Sequence, residues 1–331
     1  MKALIYRHKN TIENFAITLD DVSDPLIGEQ DLLVEVKAIG VNPGEAQFRR
    51  TVDPKPGEFM ILGYEFSGVV KTAGKLVKGI QTGDLVFGIG DPRRHGSYAT
   101  LIAVDYRNVS VFKGNWPFVQ AAAIPLISFT AWQSIFRFHN QLPEDVETIL
   151  VVGAAGGVGS MALQLLKART NVRILATASR PESFDWCLKM GAEHVLNHKE
   201  DIPEQLKELG IPEVDMIFSV NGLKESIKWI PQAIRPYGYL STVDLKDAVD
   251  LSPLMEKSVT VFLETIFTRI IYDYEYSLVD HVLKELLLLV SAGKILSPVT
   301  SVLKGLNEKN IKEAHTQLEG GSGVGKIVIE L

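Results

Sequence analysis

The sequence predicts an α/β protein in which a β-rich domain is joined to a doubly wound parallel sheet. About 120 N-terminal residues form short alternating segments between Gly, Pro and Asp, whereas strand-like and helix-like segments alternate from about Pro125 onward. Strands that alternate with helices build a parallel sheet covered on both faces. The length of 331 residues is about twice that of a typical domain, which agrees with two packed cores.

The N-terminal part is predicted to consist of strands because apolar and polar residues alternate over short runs. Turn-forming residues separate these runs, as expected of half-buried strands. The predicted strands read KALIY, DLLVEVKAIGV, FSGVVKTAG, DLVFGIG and SYATLIAV. This part is therefore expected to be a β-rich domain.

The second part opens with a predicted helix, LISFTAWQSIFRFHN, whose apolar residues recur at helical spacing. Strands and helices then alternate through ETILVVG, VRILATAS, ESFDWCLKMG, AEHVLN, DIPEQLKELG, VDMIFSV, LKESIKWIPQAI and GYLSTV. The chain ends with the strand SVTVFLETI, the amphipathic helix SLVDHVLKELLLLVSAG, the helix NIKEAHTQLEGG and the strand GKIVIEL. We predict a first domain over 1–124, the parallel-sheet domain over 125–270, and a return of 271–331 to the first domain.

Composition excludes several classes of protein. Hydrophobic residues make up 46% and charged residues 22%, as in folded globular proteins, and the net charge of -6 gives no general attraction to nucleic acid or acidic membranes. Cys187 is the single cysteine, so the chain can form no internal disulfide and no site of several thiolates. The N-terminus lacks the long apolar run of a signal peptide, and we expect a cytoplasmic protein.

The clearest chemical motif is a glycine-rich loop, Gly153-Ala-Ala-Gly156-Gly157-Val-Gly159, between the strand TILVV and the helix SMALQLLKAR. Glycines let the backbone approach a pyrophosphate, and the helix N-terminus offers free N–H groups and a partial positive charge. The loop departs from G-x-G-x-x-G where Ala154 precedes Gly156 and Gly159, but a strand before it and a helix after it are the context that the motif requires. The alternative is a tight turn that binds nothing.

The next strand indicates which dinucleotide is bound. It ends in Ala178-Ser179-Arg180, where an NADH-selective site usually has Asp or Glu about 20 residues past the loop. A hydroxyl and a guanidinium suit a 2′-phosphate through charge-assisted hydrogen bonds. We therefore predict NADPH as cofactor; the alternative is that Arg180 is a solvated surface residue.

Several segments together resemble the medium-chain dehydrogenase/reductase superfamily, over nearly the whole chain. They are DLLVEVKAIGVNPGE, ILGYEFSGVV, AAAIPLISFTAW, VVGAAGGVGSMALQLLK and GKIVIEL. Within that superfamily the chain looks like the zinc-independent quinone oxidoreductase branch, and FLETIFTR is similar to a segment of zinc-type alcohol dehydrogenase-like proteins. The resemblance implies a GroES-like β-barrel catalytic domain, completed by the C-terminal tail, and a Rossmann domain, with the active site in the cleft between them.

The resemblance also implies the residues of the cofactor site and a homodimer. Pyrophosphate would lie on the glycine loop, the 2′-phosphate at the ends of two strands, and the ribose and nicotinamide near four further residues, with Asn42 beside the nicotinamide ring. The pyrophosphate residues would be Gly156, Gly157 and Val158, and the 2′-phosphate residues would be Ser179, Arg180 and His198. The residues near the ribose and nicotinamide would be Thr130, Val220, Phe267 and Thr268. The homodimer would form through edge strands of two Rossmann sheets, for which SVTVFLETI is the candidate.

A catalytic zinc is not expected. Zinc dehydrogenases bind the metal through Cys and His, and this chain has Asn42 and Tyr64 at the corresponding positions. His194 and His198 lie on a predicted strand, where four residues span roughly 13 Å, too far for one ion. A quinone or an enone needs less help than a simple ketone because its own π-system spreads the charge that hydride delivers, so we expect such a small-molecule acceptor.

Two residues are candidates for a role in the reaction. Tyr64 could hydrogen-bond the substrate oxygen or donate a proton, and Asn42 could position substrate or nicotinamide; the alternative is that Tyr64 only packs in the barrel. Glu45 and Glu65 are expected near the cleft as structural hydrogen-bond acceptors. An enone or enal reductase of the same fold, or an NADPH-binding sensor or structural protein without turnover, remains an alternative function.

Overall fold

The computed structural model describes residues 1–244, 247–321 and 323–331. Its strands are β1 (Lys2–Tyr6), β2 (Thr18–Asp21), β3 (Asp31–Val41), β4 (Met60–Ile61), β5 (Glu65–Ala73), β6 (Leu85–Ile89), β7 (Leu101–Asp105), β8 (Val109–Phe112), β9 (Thr148–Val152), β10 (Arg173–Ala178), β11 (His194–Asn197), β12 (Val214–Ser219), β13 (Ile234–Thr242), β14 (Thr260–Leu263), β15 (Val299–Lys304) and β16 (Lys326–Glu330).

Its α-helices are α1 (Pro43–Thr51), α2 (Phe118–Ala121), α3 (Pro125–Ile135), α4 (Gly157–Arg169), α5 (Pro181–Met190), α6 (Ile202–Glu208), α7 (Leu223–Ser226), α8 (Ile230–Ala233), α9 (Thr268–Tyr272), α10 (Ser277–Ser291) and α11 (Glu308–Glu319). Short 3-10 helices span Tyr106–Asn108 and Ser252–Lys257.

One sheet has the order β11-β10-β9-β12-β13-β14, and its neighbouring strands are parallel. Numbered from β9, this is the 3-2-1-4-5-6 order of a doubly wound sheet, so the predicted α/β fold class is confirmed. The core on one part of this sheet is built from buried Leu, Ile and Val residues such as Leu150, Leu175 and Ile217. Strand order reverses between β9 and β12, and such a switch point is where ligands bind in these folds.

The remaining strands belong to the first unit and form two largely antiparallel sheets. One sheet has the order β15-β16-β3-β5-β6-β8, with β7 also on β3, and a smaller sheet has the order β2-β1-β4. The last strand, β16, pairs antiparallel with β3, with Ile327 opposite Val41. The C-terminal segment therefore completes a sheet that begins near residue 31, which brings residues distant in sequence side by side.

By its contacts the chain divides into a first unit of Met1–Leu126, Phe267–Leu288 and Ser297–Leu331, and a second unit of Ile127–Ile266 and Leu289–Leu296. These borders differ slightly from the predicted 124/125 and 270/271. The Leu126 amide donates to a carboxylate of the first unit, that of Glu65, over 2.8 Å.

Contacts within each unit also explain the borders at Phe267 and around residues 289–296. The ring of Phe267 packs against Tyr64 in the first unit, with ring centroids 5.4 Å apart. Residues 289–296 join the second unit because the Leu296 amide donates to Gln164 Oε1 over 2.6 Å, and Gln164 Nε2 donates back to the Leu296 carbonyl over 3.2 Å. Neither contact can be recognised from hydrophobic pattern alone.

Helix α1 was not expected, because its sequence PGEAQFRRT carries little apolar periodicity. It begins after Asn42 with Pro43 in its first turn, and the Glu45 carboxylate accepts the Asn42 amide over 3.0 Å. An Asn followed by Pro and, two residues further on, Glu is a helix-start signal that the sequence does contain.

One segment, residues 118–135, is long and apolar enough to be tested as a membrane span. Of this segment, 83% is buried inside the protein, as in the core helix of a globular domain. It is therefore weak evidence for a span.

A buried guanidinium joins α1 to α11 in the first unit. Arg49 is 0% exposed; its Nη1 donates to the Asn10 carbonyl over 2.7 Å, its Nη2 contacts Glu319, and its Nε donates to His315 Nδ1 over 3.2 Å. Because Nδ1 accepts, the imidazole proton lies on Nε2, which is 3.1 Å from the Tyr98 hydroxyl. The network satisfies polar groups that would otherwise be costly to bury.

His315 makes the stability of this unit depend on pH. Burial, and then the charge of Arg49, lower the pKa of His315 to about 3, below the 6.5 of a free histidine. Because the unfolded chain binds the proton first, stability is complete above about pH 6.5 and is lost as pH falls toward 3, at up to about 1.4 kcal/mol per pH unit. We expect His315→Gln, which keeps one donor and one acceptor, to flatten this acid slope.

Urea unfolding of both proteins at pH 7.5 and pH 5.5 measures the effect. From pH 7.5 to pH 5.5, the urea concentration at half-unfolding should fall more for the wild type than for the variant. Equal losses would mean that His315 is not held neutral by its surroundings.

Candidate active site

The glycine-rich loop lies at the switch point of the parallel sheet. Strand β9 is buried throughout and leads into Gly153, whose φ of +74° favours glycine. A Cβ at Gly153 would collide with Asn221 Oδ1, and one at Gly159 would lie 2.5 Å from Ala154 Cα. Packing therefore requires these two glycines.

Gly156 has a different environment. A Cβ there would meet only the Gly153 carbonyl, at 3.7 Å, so this side of the loop is open. Helix α4 begins at Gly157 and includes Val158, and the first N–H groups of a helix have no acceptor within it. The loop thus presents open space and free donors together, which fits a pyrophosphate.

The neighbouring strand end lies beside this loop. The Val220 amide donates to the Val152 carbonyl over 3.1 Å, so the residue after β12 meets the end of β9, and Val220 is partly exposed. Thr130 lies in the same unit on α3 and is 6% exposed. Val220 and the start of the glycine loop therefore lie side by side in the second unit.

The predicted 2′-phosphate residues gather at the ends of β10 and β11. The His198 amide donates to the Ala178 carbonyl over 3.3 Å, which places it beside Ser179 and Arg180. Arg180 precedes α5, where its amide donates to Ser183 Oγ over 3.2 Å and its Nε donates to Glu182 over 3.1 Å. Burial, and then the charges of Lys199 and Arg180, lower the pKa of His198, so two cationic side chains lie near its ring.

In the first unit, Asn42 lies within a buried polar cluster. Its Nδ2 donates to Glu65 Oε2 over 3.2 Å and to Glu45 Oε1 over 3.3 Å, while its Oδ1 accepts from Lys326. Both faces of the amide are thus occupied inside the unit. This geometry fixes the orientation of Asn42.

Lys326 supplies the charge that holds the cluster together. Its ammonium is 2.7 Å from Glu65 Oε2 and donates to the Val41 carbonyl over 2.9 Å, and the side chains of Lys326 and Glu65 are 3% and 0% exposed. Lys326 was not among the residues expected at the site. The available signal was a lysine directly before the apolar run IVI of a strand, at a position where the side chain has no water to reach.

Glu45 is the second carboxyl of the cluster. It is 1% exposed and accepts the Tyr64 amide over 3.2 Å. Burial raises the pKa of Glu45 to about 7, against the opposing effect of Lys326. The charge of Lys326 thus acts on Glu45 as well as on its partner Glu65, and Glu45 can take up a proton near neutral pH.

Tyr64 is buried between two aromatic rings. It is 2% exposed, and its ring centroid lies 5.8 Å from that of Phe48 and 5.4 Å from that of Phe267, which precedes Thr268 at the start of α9. Among the residues that the structure describes, none accepts from or donates to its hydroxyl. Burial raises the pKa of the Tyr64 phenol well above its usual value, so it remains neutral.

Comparison with known proteins identifies the family of this fold. An alcohol dehydrogenase GroES-like domain matches residues 28–115, and a zinc-binding dehydrogenase domain matches residues 157–284. A zinc-type alcohol dehydrogenase-like protein of Staphylococcus aureus (strain MSSA476) is 35% identical over 316 residues, 93% of this chain and 92% of that protein. The chain belongs to the medium-chain dehydrogenase/reductase superfamily.

Two more members of the superfamily align over most of their length. The quinone oxidoreductase of Lama guanicoe is 28% identical over 322 residues, 94% of this chain and 92% of that protein. The structure of a proposed zinc-dependent alcohol dehydrogenase from Rhizobium etli CFN 42 has a TM-score of 0.96 and 33% identity, covering 100% of this chain and 98% of that chain. The predicted superfamily, GroES-like domain and Rossmann-type sheet are confirmed, and this dehydrogenase/reductase is an oxidoreductase.

The names of some relatives include zinc, which raises the question whether this dehydrogenase/reductase has side chains that could bind that metal. Within residues 1–244, 247–321 and 323–331, His, Cys, Asp and Glu form no group of three that could hold a metal ion. Cys187 is buried in the second unit on α5. In the first unit, the Glu65 carboxylate is already paired with an ammonium. The donors present do not resemble the Cys and His set that zinc prefers.

Proposed function

We propose that this protein is an NADPH-dependent reductase that passes hydride to a quinone or a similarly activated acceptor without a metal. The observation that carries the proposal is the glycine loop at the switch point of the sheet, beside strand ends that bear Ser179, Arg180 and His198. The loop suits a pyrophosphate, and the hydroxyl of Ser179 and the guanidinium of Arg180, which now pairs with Glu182, suit a 2′-phosphate that would replace that carboxylate. The resemblance to a quinone oxidoreductase over most of the chain supports the acceptor class.

The residues present fit the cofactor. Gly156, Gly157 and Val158 would hold the pyrophosphate. The 2′-phosphate would be held by Ser179, Arg180 and His198. NADPH, when bound, supplies the hydride. The part of the protein is to orient cofactor and acceptor and to exclude water.

Metal independence follows, in this proposal, from the acceptor and from the cluster around Asn42. A quinone or an enone spreads incoming charge over its own π-system, so it needs no Lewis acid. Asn42 and Tyr64 are poor zinc ligands, and Lys326 already neutralises Glu65. We therefore expect a chelator to leave turnover unchanged.

We also propose that the protein works as a homodimer in the cytoplasm. Strand β14 ends the parallel sheet and pairs with β13 on one side, and Leu263 on β14 is 54% exposed. An edge strand with exposed apolar side chains favours pairing with another copy. Sedimentation analysis should give the mass of two chains; the mass of one chain would contradict the dimer.

The experiment is steady-state oxidation of NADPH and, separately, of NADH, with a panel of quinones and enones and with or without a chelator. Faster turnover with NADPH than with NADH, unchanged by the chelator, supports the proposal. The rates with the different quinones and enones rank the acceptors. Tight NADPH binding without turnover would favour a sensor or structural protein. Chelator-sensitive turnover would contradict metal independence.

A further inference from the structure

We propose that the Tyr64 hydroxyl is the hydrogen-bond donor for the carbonyl oxygen of the acceptor. The inference rests on the proposed function, because it assigns a partner to a group of the reductase. Its basis is the contrast between Tyr64 and two other tyrosines of the first unit that are equally buried, Tyr6 and Tyr98, and it requires no metal.

The contrast lies in the partners of the hydroxyl groups. The Tyr6 hydroxyl donates to the Val52 carbonyl over 3.2 Å, and the Tyr98 hydroxyl is 3.1 Å from His315 Nε2. Tyr64 is as buried as these two, yet its hydroxyl has no partner among the described residues. A buried donor without a partner costs free energy, so such a group in a native protein calls for an explanation, and a bound ligand supplies one.

The surroundings of Tyr64 indicate the kind of ligand. The rings of Phe48 and Phe267 pack at its sides, and both residues are partly exposed. A planar, unsaturated carbonyl compound can pack against such rings, displacing Phe267, while its oxygen accepts from the phenol. A saturated chain or a carboxylate matches this setting less well, since the Tyr64 hydroxyl is a neutral donor.

The chemistry balances without a proton from Tyr64. A C–H bond of the reduced nicotinamide would break, and its hydrogen and electron pair would form a new C–H bond on the acceptor, leaving NADP⁺. The displaced π-electron pair moves onto the carbonyl oxygen, and a solvent proton neutralises that oxygen. The phenol keeps its own proton, which agrees with a pKa raised by burial. Its hydrogen bond strengthens as the oxygen gains charge, so it lowers the barrier more than it tightens binding.

The test compares Tyr64→Phe with Tyr98→Phe, using 1,4-benzoquinone and 3-penten-2-one as acceptors with NADPH, together with urea unfolding. For Tyr64→Phe we expect a roughly 10- to 100-fold lower kcat with the enone, little change in its KM, and a urea midpoint that is unchanged or raised. For Tyr98→Phe we expect unchanged kcat and a lowered midpoint, because a satisfied bond is lost.

The outcomes separate this proposal from the proposed function. If the wild type oxidises NADPH and Tyr64→Phe keeps its enone kcat within about twofold, the role of Tyr64 is overturned and the reductase stands. A midpoint that falls as far in Tyr64→Phe as in Tyr98→Phe would also overturn it, because the hydroxyl would then have an internal partner. If the wild type reduces no acceptor, the proposed function fails, and this role fails with it.

Discussion

Replacing Lys326 with methionine is expected to lower the free energy of unfolding by about 3–5 kcal/mol, because it leaves buried carboxylates without their cation. Methionine has a similar volume, so a cavity contributes little. Glu65, 0% exposed, loses an ion pair of 2.7 Å, and Asn42 loses the donor to its Oδ1. The pKa of Glu45 should rise further, because the charge of Lys326 lowers it in the wild type. Chemical denaturation at neutral pH measures the loss.

Lys304→Met is the matched control. Lys304 lies on the adjacent strand β15, is 84% exposed and is 3.9 Å from Glu330. An exposed pair of this kind contributes about 0–1 kcal/mol, so the control should unfold almost as the wild type does. Adding Glu65→Gln to Lys326→Met should recover part of the loss. Equal stability of the two lysine variants would contradict the account of the buried cluster.

Two alanine substitutions in the glycine loop should separate folding from cofactor binding. Gly159→Ala places a Cβ 2.5 Å from Ala154 Cα and 2.6 Å from the Ala154 carbonyl oxygen. Because these are backbone atoms, which move only at a high energetic cost, we expect the free energy of unfolding to fall by about 1–3 kcal/mol. We also expect weaker NADPH binding. Gly156→Ala meets nothing closer than 3.7 Å, and its φ of -74° suits alanine. Its stability should be unchanged.

NADPH binding by Gly156→Ala should nevertheless weaken by about tenfold or more, which is about 1.4 kcal/mol, because the new methyl group occupies the open side where the pyrophosphate is proposed to lie. Calorimetric titration with NADPH and thermal unfolding give the two quantities. Wild-type affinity in Gly156→Ala would place the phosphates elsewhere.

The glycine loop could be predicted because it depends on a short segment of sequence, whereas the 2′-phosphate role of Ser179, Arg180 and His198 stays a prediction. A strand, a run of glycines and a helix specify the loop. The resemblance to the superfamily placed Arg180 and His198 at one site, and the ends of β10 and β11 do lie side by side. Helix α1 was missed because its start depends on capping by Glu45 and its apolar pattern is weak.

The cluster around Asn42 could not be predicted, since it joins residues 284 positions apart along the chain. The register of β16 on β3 creates it, with Val328 opposite Gly40 and Ile327 opposite Val41. No local pattern encodes that pairing. The missing partner of the Tyr64 hydroxyl is likewise a three-dimensional property.

The central claim is that Arg180 makes the protein selective for NADPH. Its most direct test is to measure the dissociation constants of NADPH and NADH for the wild type, Arg180→Ala and Arg173→Ala. Arg173 starts β10, the strand that ends just before Arg180, so it serves as a control at the opposite end of that strand. We predict that the wild type binds NADPH more tightly than NADH, that Arg180→Ala weakens NADPH binding about tenfold or more with little effect on NADH, and that Arg173→Ala changes neither. Equal affinities for the two cofactors in the wild type, or equal losses for both in Arg180→Ala, would contradict the claim.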